Sequence, residues 1–213
     1  MLLYIFVTCE SRLAGCYDRI MAMMSSLECG DFIIVKGGSS TKSSYDPLTQ
    51  ILSLDCNDFY EGLPEKVVKT CGFLRTDPWF AAYTHFCKLD EDMIIRTPVP
   101  VSELSDYCGV IEISYLGNRR WHMGKCSVGS AFNTAPYLGK FVPWCLGGCG
   151  YFLSKRSLDL VGGVDAIDLE KEIYEDLCVA KLLKKAGILP THMPGLTEYI
   201  FSTDHSPSVR QQR

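Results

Sequence analysis

Apolar residues come in two rhythms along the first half of the chain. Leu2–Thr8 is a continuous apolar run, Leu13, Cys16, Ile20, Met23, Met24 and Leu27 then recur at helical spacing, and Phe32–Val35 is a second short run. Strand, helix, strand is the order this predicts. Continuous runs, in place of strict alternation, mark strands covered on both faces, as the parallel strands of α/β domains are. Two further runs, Ile51–Leu54 and Phe86–Leu89, each end in an acid, Asp55 and Asp90, with a helix predicted over Pro64–Thr76. In the second half Val110–Ser114 and Tyr151–Leu153 read as strands and Ser157–Val161 as a short helix. Glu172–Ala186 reads as an amphipathic helix with Ile173, Leu177, Ala180 and Leu183 on its stripe and Gly187 placed to end it. The segment Gly117–Lys140 is polar, glycine-containing and aromatic, the composition of a substrate lid or specificity loop.

Composition narrows the function classes. With 213 residues, 47% of them hydrophobic and 22% charged, the chain can bury one substantial core. A net charge of -4 lacks the basic footprint that phosphate-backbone binding needs, so no nucleic-acid partner is expected. An acidic small molecule would have to be neutralised locally, by a metal or a few placed cations. The eleven cysteines are odd in number and scattered, the usage of a reducing, cytoplasmic compartment in which Cys serves as a small hydrophobe. Cys145 and Cys149 are closely spaced, but no second Cys/His pair stands at zinc-ribbon spacing. No run approaches the ~20 apolar residues of a membrane span. Residues 206–213 are polar and aperiodic and read as the start of a linker to further domains, which leaves 1–205 as a single domain.

The strongest chemical signal is Asp90-Glu91-Asp92, three acids wedged between the apolar runs Phe86–Leu89 and Met93–Ile95. Such a cluster needs partners or a cation. In a strand-turn-strand reading Asp90 and Asp92 point to one side and Glu91 away, so the outer pair can share one hard cation through oxygen ligands. Carboxylates at the carboxyl ends of strands also stand where open α/β sheets bind ligands. Val35–Ser43 invites a phosphate-loop reading, but Thr41 occupies the glycine position before Lys42 and the pattern fails.

Lys88-Leu89-Asp90-Glu91-Asp92 resembles the Asp-x-Asp motif of GT-A nucleotide-sugar glycosyltransferases, and its flanks resemble the β-1,3-galactosyltransferase and fringe group. Three further stretches match in order: Asp55, Asp58, Tyr60, Leu63 and Lys66 upstream; Gly147 to Gly150 with Tyr151 and Ser154; and Tyr174-Glu175-Asp176 with Val179. The resemblance covers most of the chain. It implies a Rossmann-like fold with a central mixed, mostly parallel sheet flanked by helices, and Mn²⁺ (or Mg²⁺) as cofactor. The implied activity is transfer of a hexosyl or deoxyhexosyl group from a UDP-sugar of the UDP-glucose, UDP-galactose or UDP-rhamnose type to a glycan hydroxyl. Asp90 and Asp92 would hold the metal, with His205 as the late histidine that commonly completes the coordination and His192 second. Thr8, Glu10, Arg12, Asp55, Lys66, Asp90 and Glu91 would contact the nucleotide-sugar. Asp176 matches the base that removes the acceptor proton, with Glu175 beside it. Trp144, Tyr151, Trp121 and His122 offer sugar-stacking faces, and the glycines from Gly147 to Gly150 would let an acceptor approach the backbone closely. The length, free cysteines and polar end also resemble the amino-terminal glycosyltransferase domains of multidomain proteins from large chlorella viruses, for which the acceptor would be a virion surface glycoprotein glycosylated in the host cytoplasm. Two alternatives stay open: a nucleotidyltransferase of similar sheet architecture, and a nucleotide- or carbohydrate-binding domain without turnover.

Overall fold

The computed structural model describes residues 1–27, 30–39, 42–113, 118–165, 169 and 171–202. In chain order its elements are β1 (Leu2–Val7), α1 (Glu10–Ser26), β2 (Asp31–Lys36), β3 (Ser44–Asp46), β4 (Ile51–Ser53), α2 (Leu63–Thr76), β5 (His85–Asp90), β6 (Met93–Ile95), β7 (Tyr107–Gly109), β8 (Ile111–Glu112), β9 (Trp144–Cys145), β10 (Tyr151–Ser154), α3 (Lys155–Val161), α4 (Glu175–Lys185), β11 (Thr191–His192), α5 (Leu196–Tyr199) and β12 (Ile200–Ser202). An eight-stranded sheet in the order β11-β7-β10-β5-β1-β2-β4-β3 forms the middle layer. Its β5-β1-β2-β4 centre is parallel, and β10, antiparallel to both β5 and β7, makes the sheet mixed. The expected α/β class and mixed, mostly parallel sheet are therefore found.

Both faces of the central strands are covered, which is why they read as continuous apolar runs. Leu3, Ile5, Val7, Ile33, Val35 and Phe86 pack against α2, α3 and α4 on one face. Tyr4, Phe6, Ile34, Cys87 and Leu89 pack against Cys16, Ile20 and Met24 of α1 on the other. Strand order reverses at β1, which has β2 on one side and the later β5 on the other, so the crevice beyond the carboxyl ends of β1 and β5 is the place where such sheets bind ligands. Among the described residues no helix is long and apolar enough to cross a membrane, and ten cysteines are free thiols.

Several expectations need correction. The strand predicted over Val110–Ser114 is a two-residue β8, paired with β9 outside the main sheet; the main-sheet strand is the preceding Tyr107–Gly109, whose glycine and single large apolar residue hid it. The strand-turn-strand expected around the acidic residues is present as β5, the turn at residues 91–92 and β6, but β6 pairs with β12 in a separate two-stranded sheet. The helix predicted from Glu172 begins at Glu175, because the backbone at Tyr174 is extended (φ -97°, ψ 109°); the Glu172 carboxylate is held by the Tyr137 hydroxyl and the Lys181 ammonium. The same contacts, with His122 sealed beneath Tyr174, anchor to α4 the described residues 118–140 of the segment read as a lid or specificity loop.

Glycine is demanded where α2 and α3 touch backbone to backbone: a Cβ on Gly162 would fall 2.5 Å from the Cys71 carbonyl carbon. Gly15, inside α1, faces open space. Gly162→Ala is therefore expected to destabilise by about 2 kcal/mol or more through overpacking, and Gly15→Ala to stabilise by about 0.5–1 kcal/mol through helix propensity. Chemical denaturation of the two variants checks both signs.

Candidate active site

The site grows from a strand-end lysine. On β5 the side chains of Lys88 and Asp90 lie two residues apart and share a face, the face on which α4 packs. The Lys88 ammonium reaches Asp90 Oδ1 at 2.6 Å and Glu175 Oε1, at the first residue of α4, at 2.7 Å. Tyr151 is the cross-strand partner of Lys88 in the β10–β5 register, and its hydroxyl donates to Glu175 Oε2 at 2.9 Å. Burial alone would lower the lysine's pKa; Asp90 and Glu175 outweigh it and hold the ammonium firmly protonated. Burial pushes the Glu175 carboxyl up to about 7 against the pull of Lys88.

Two glycines make this packing fit. A Cβ on Gly147 would lie 2.4 Å from Glu175 Oε1, and one on Gly150, where φ is +79°, would lie 2.7 Å from Leu89 Cδ2. Of the glycines expected to open the backbone to an acceptor, Gly147 and Gly150 are filled by packing, whereas Gly148 has open space around it. Asp176, beside Glu175, accepts from the Gly147 amide at 2.9 Å and from the Leu177 amide at 2.8 Å. Its carboxyl is raised by burial, against those two backbone hydrogen bonds.

A second cluster fills the other side of the crevice. Asp58, between β4 and α2, accepts from the Glu10 amide at 2.6 Å and the Gly37 amide at 2.7 Å, and pairs with Lys66 at 2.6 Å. Glu10 is the first residue of α1, where a free helix N-terminus would attract a phosphate. Asp58 supplies that negative charge internally, and a Cβ on Gly37 would meet its Oδ1 at 2.9 Å. Lys66 is only 1% exposed, with its ammonium on Asp58 and on the Thr8 carbonyl at 2.7 Å. The nucleotide-facing lysine expected at this position is thus a buried tie between α2, β1 and Asp58.

The remaining expected residues separate clearly. Glu91 turns from the acidic turn to Arg12 on α1, whose guanidinium is held protonated by it, and the Glu91 carbonyl accepts from Arg19. Glu10 pairs through its side chain with Lys36. Asp55 is exposed beyond β4, three sheet positions from β5, or roughly 14 Å at ordinary strand spacing, too far to join Asp90 on one cation. Asp92 sits partly buried in the turn after Asp90. His205 lies outside the described residues, and His192 is exposed at the sheet edge on β11. Among the described residues no group of three or more His, Cys, Asp or Glu gathers as a metal site. Asp90 and Asp92 offer carboxylate oxygens on a partly exposed turn, the donor type that a hard divalent ion takes. Of the expected sugar-stacking faces His122 and Tyr151 are fully buried and Trp144 nearly so, which leaves Trp121, 59% exposed, with the Lys125 ammonium 3.5 Å from its ring centre.

Lys88 and Asp58, quoted in the sequence only as matching positions of the motifs and given no role there, are the residues that tie the two clusters together. The signal for Lys88 was its position two residues before Asp90 on a strand; nothing in the spacing set Asp58 above Asp55.

No protein-family model matches this chain, and no curated protein matches it.

The sign of the Glu175 contribution to stability follows from its raised carboxyl. With an unfolded value of 4.5 and a folded value of about 7, its stabilising proton is fully present below pH 4.5 and lost as pH rises through about 7. The melting temperature of the wild type minus that of Glu175→Gln is expected to fall between pH 4.5 and 7 and to level off above 8. A difference that rises over this window would contradict the burial of Glu175.

Proposed function

We propose that this chain is a metal-dependent glycosyltransferase that moves a hexosyl or deoxyhexosyl group from a UDP-sugar to a hydroxyl of a glycan. The observation that carries this reading is the joining, through Lys88, of the acidic turn at the end of β5 to the paired acids at the start of α4, in the crevice where the strand order reverses. A transferase of this kind needs a charged centre for a leaving diphosphate and a carboxylate for the incoming hydroxyl, close together and on different elements.

Asp90 and Asp92 would hold a divalent cation, Mn²⁺ or Mg²⁺, which as a Lewis acid offsets charge building on the diphosphate. Glu91 and Arg12 fix the turn against α1, so the two outer acids keep their aim. Asp176 would take the acceptor proton: its carboxyl is raised toward the working range by burial while Gly147 and Leu177 hold its orientation. In the step itself the acceptor oxygen bonds to the anomeric carbon and the bond from that carbon to the diphosphate oxygen breaks. The proton goes to Asp176 and UDP leaves with the bonding electrons. Glu175, enclosed by Lys88, Tyr151 and Gly147, positions the start of α4 and has no path to an acceptor.

The Asp58 cluster favours this reading over a nucleotidyltransferase. A carboxylate on the first amide of α1 repels a phosphate there, so the charge of a nucleotide must be met elsewhere, at the acidic turn and through a cation.

Thermal melting with UDP tests the proposal. At ligand concentrations near 100 times Kd, binding to the folded state adds about 2.7 kcal/mol, a rise of about 5–10 °C for a domain of this size. That rise is expected with UDP and Mn²⁺, not with UDP and EDTA, and not in Asp92→Ala under either condition. A rise that ignores EDTA and Asp92→Ala, or none with any UDP compound, would overturn the proposal. Glycan affinity that survives Asp92→Ala without turnover in the wild type would favour a binding domain.

A further inference from the structure

The acid expected to meet the cation already carries one. Lys88 Nζ lies 2.6 Å from Asp90 Oδ1, its side chain is 6% exposed, and its stem rises from a central strand, so the ammonium cannot swing into water. The Asp90 side chain, by contrast, is 40% exposed. A tethered ammonium acts at a local concentration that no free ion matches. A divalent ion arriving at Asp90 alone therefore meets a competitor attached to the same strand.

That competitor has a second holder. Glu175 Oε1 stands 2.7 Å from the ammonium, itself fixed by the Tyr151 hydroxyl, and the Tyr151 ring lies 5.9 Å away as a further cation partner. Lys88 can give up Asp90 without becoming a buried charge that no carboxylate meets, the state that would cost most. Glu175 is sealed behind the site, where it meets the ammonium whether or not Asp90 does.

We infer that Lys88 is a tethered counter-cation that weakens the binding of a bare divalent ion at Asp90 and yields when a diphosphate brings further anionic oxygens, so that cation and nucleotide enter together. Glu175 is its holder and hence a positioning residue. The inference rests on the reading of Asp90 as a cation ligand.

The test measures free Mn²⁺ by electron paramagnetic resonance over the folded protein, with and without UDP as the probe. Wild type is expected to bind Mn²⁺ weakly alone and far more tightly with UDP. The double variant Lys88→Met with Glu175→Met, which removes the buried pair without leaving either charge alone, is expected to bind Mn²⁺ alone more tightly because the ammonium in contact with Asp90 is gone, and Lys88→Gln, which removes one positive charge, about tenfold more tightly. Lys88→Arg keeps the charge and is expected to resemble the wild type, and Lys88→Gln carries the same test if the double variant does not fold. Mn²⁺ affinity that is unchanged or weaker in the charge-removing variants, or raised equally in Lys88→Arg, overturns the inference. If that happens while Asp90→Asn and Asp92→Asn abolish Mn²⁺-dependent UDP binding, only the role of Lys88 falls. If those two variants bind as the wild type does, or no protein binds Mn²⁺, the metal-dependent reading falls with it.

Discussion

A lysine ammonium sealed from water is tolerable only where carboxylates meet it, and the Lys88 ammonium between Asp90 and Glu175 sets this demand at the centre of the sheet. Much of the local structure follows from satisfying it. The start of α4 must come down on β5 so that Glu175 can reach the ammonium. Gly147 must lack a side chain so that the carboxylate fits, and β10 must run antiparallel with Tyr151 opposite Lys88 so that a hydroxyl can take the second carboxylate oxygen. Asp176 follows as the next residue of the same helix, its carboxylate held by the Gly147 and Leu177 amides. Among the described residues no buried side-chain nitrogen or oxygen lacks a partner, so these polar contacts form a closed set.

The other side of the crevice solves the same problem with the same chemistry. Lys66, buried under β1, is met by Asp58, which also holds the first amide of α1 and the Gly37 amide after β2. The two clusters divide the work. Around Asp58 the charge is closed internally and gives rigidity to the ends of β1 and β2. At Asp90 and Asp92 carboxylate oxygen remains partly exposed, so this is the end at which an incoming charge can be met. Packing thereby separates an internally paired acid from partly exposed acids that look alike in the sequence.

The central strands and helices were legible because burial on both faces leaves continuous runs and a single helical stripe, as in Leu2–Val7, Asp31–Lys36 and the Leu177, Ala180 and Leu183 ridge of α4. Short strands toward one side of the sheet were not. Tyr107–Gly109 and Thr191–His192 owe their conformation to partners brought from elsewhere in the chain, and local pattern carries no trace of that. The acidic turn was legible because three acids between apolar runs have few physical explanations. The roles of Lys66 and Asp58 were hidden because a buried ion pair and a solvated one are written with the same residues, and only the packing of α2 under β1 distinguishes them. For the same reason His122 and Tyr151 read as sugar platforms, when both rings are sealed in the interior and spend their polar atoms on Tyr174, Ala135 and Glu175.

Under the proposed function, carboxylate oxygens of the acidic turn would take a divalent cation together with a diphosphate. A crystal grown with UDP and Mn²⁺ and measured at the manganese absorption edge tests this most directly. A single strong anomalous peak is expected, bonded to carboxylate oxygen of the Asp90–Asp92 turn and to oxygens of the diphosphate, with Lys88 still held by Glu175. A nucleotide bound with its phosphates on the amides at the start of α1, or a manganese peak away from that turn, would contradict it.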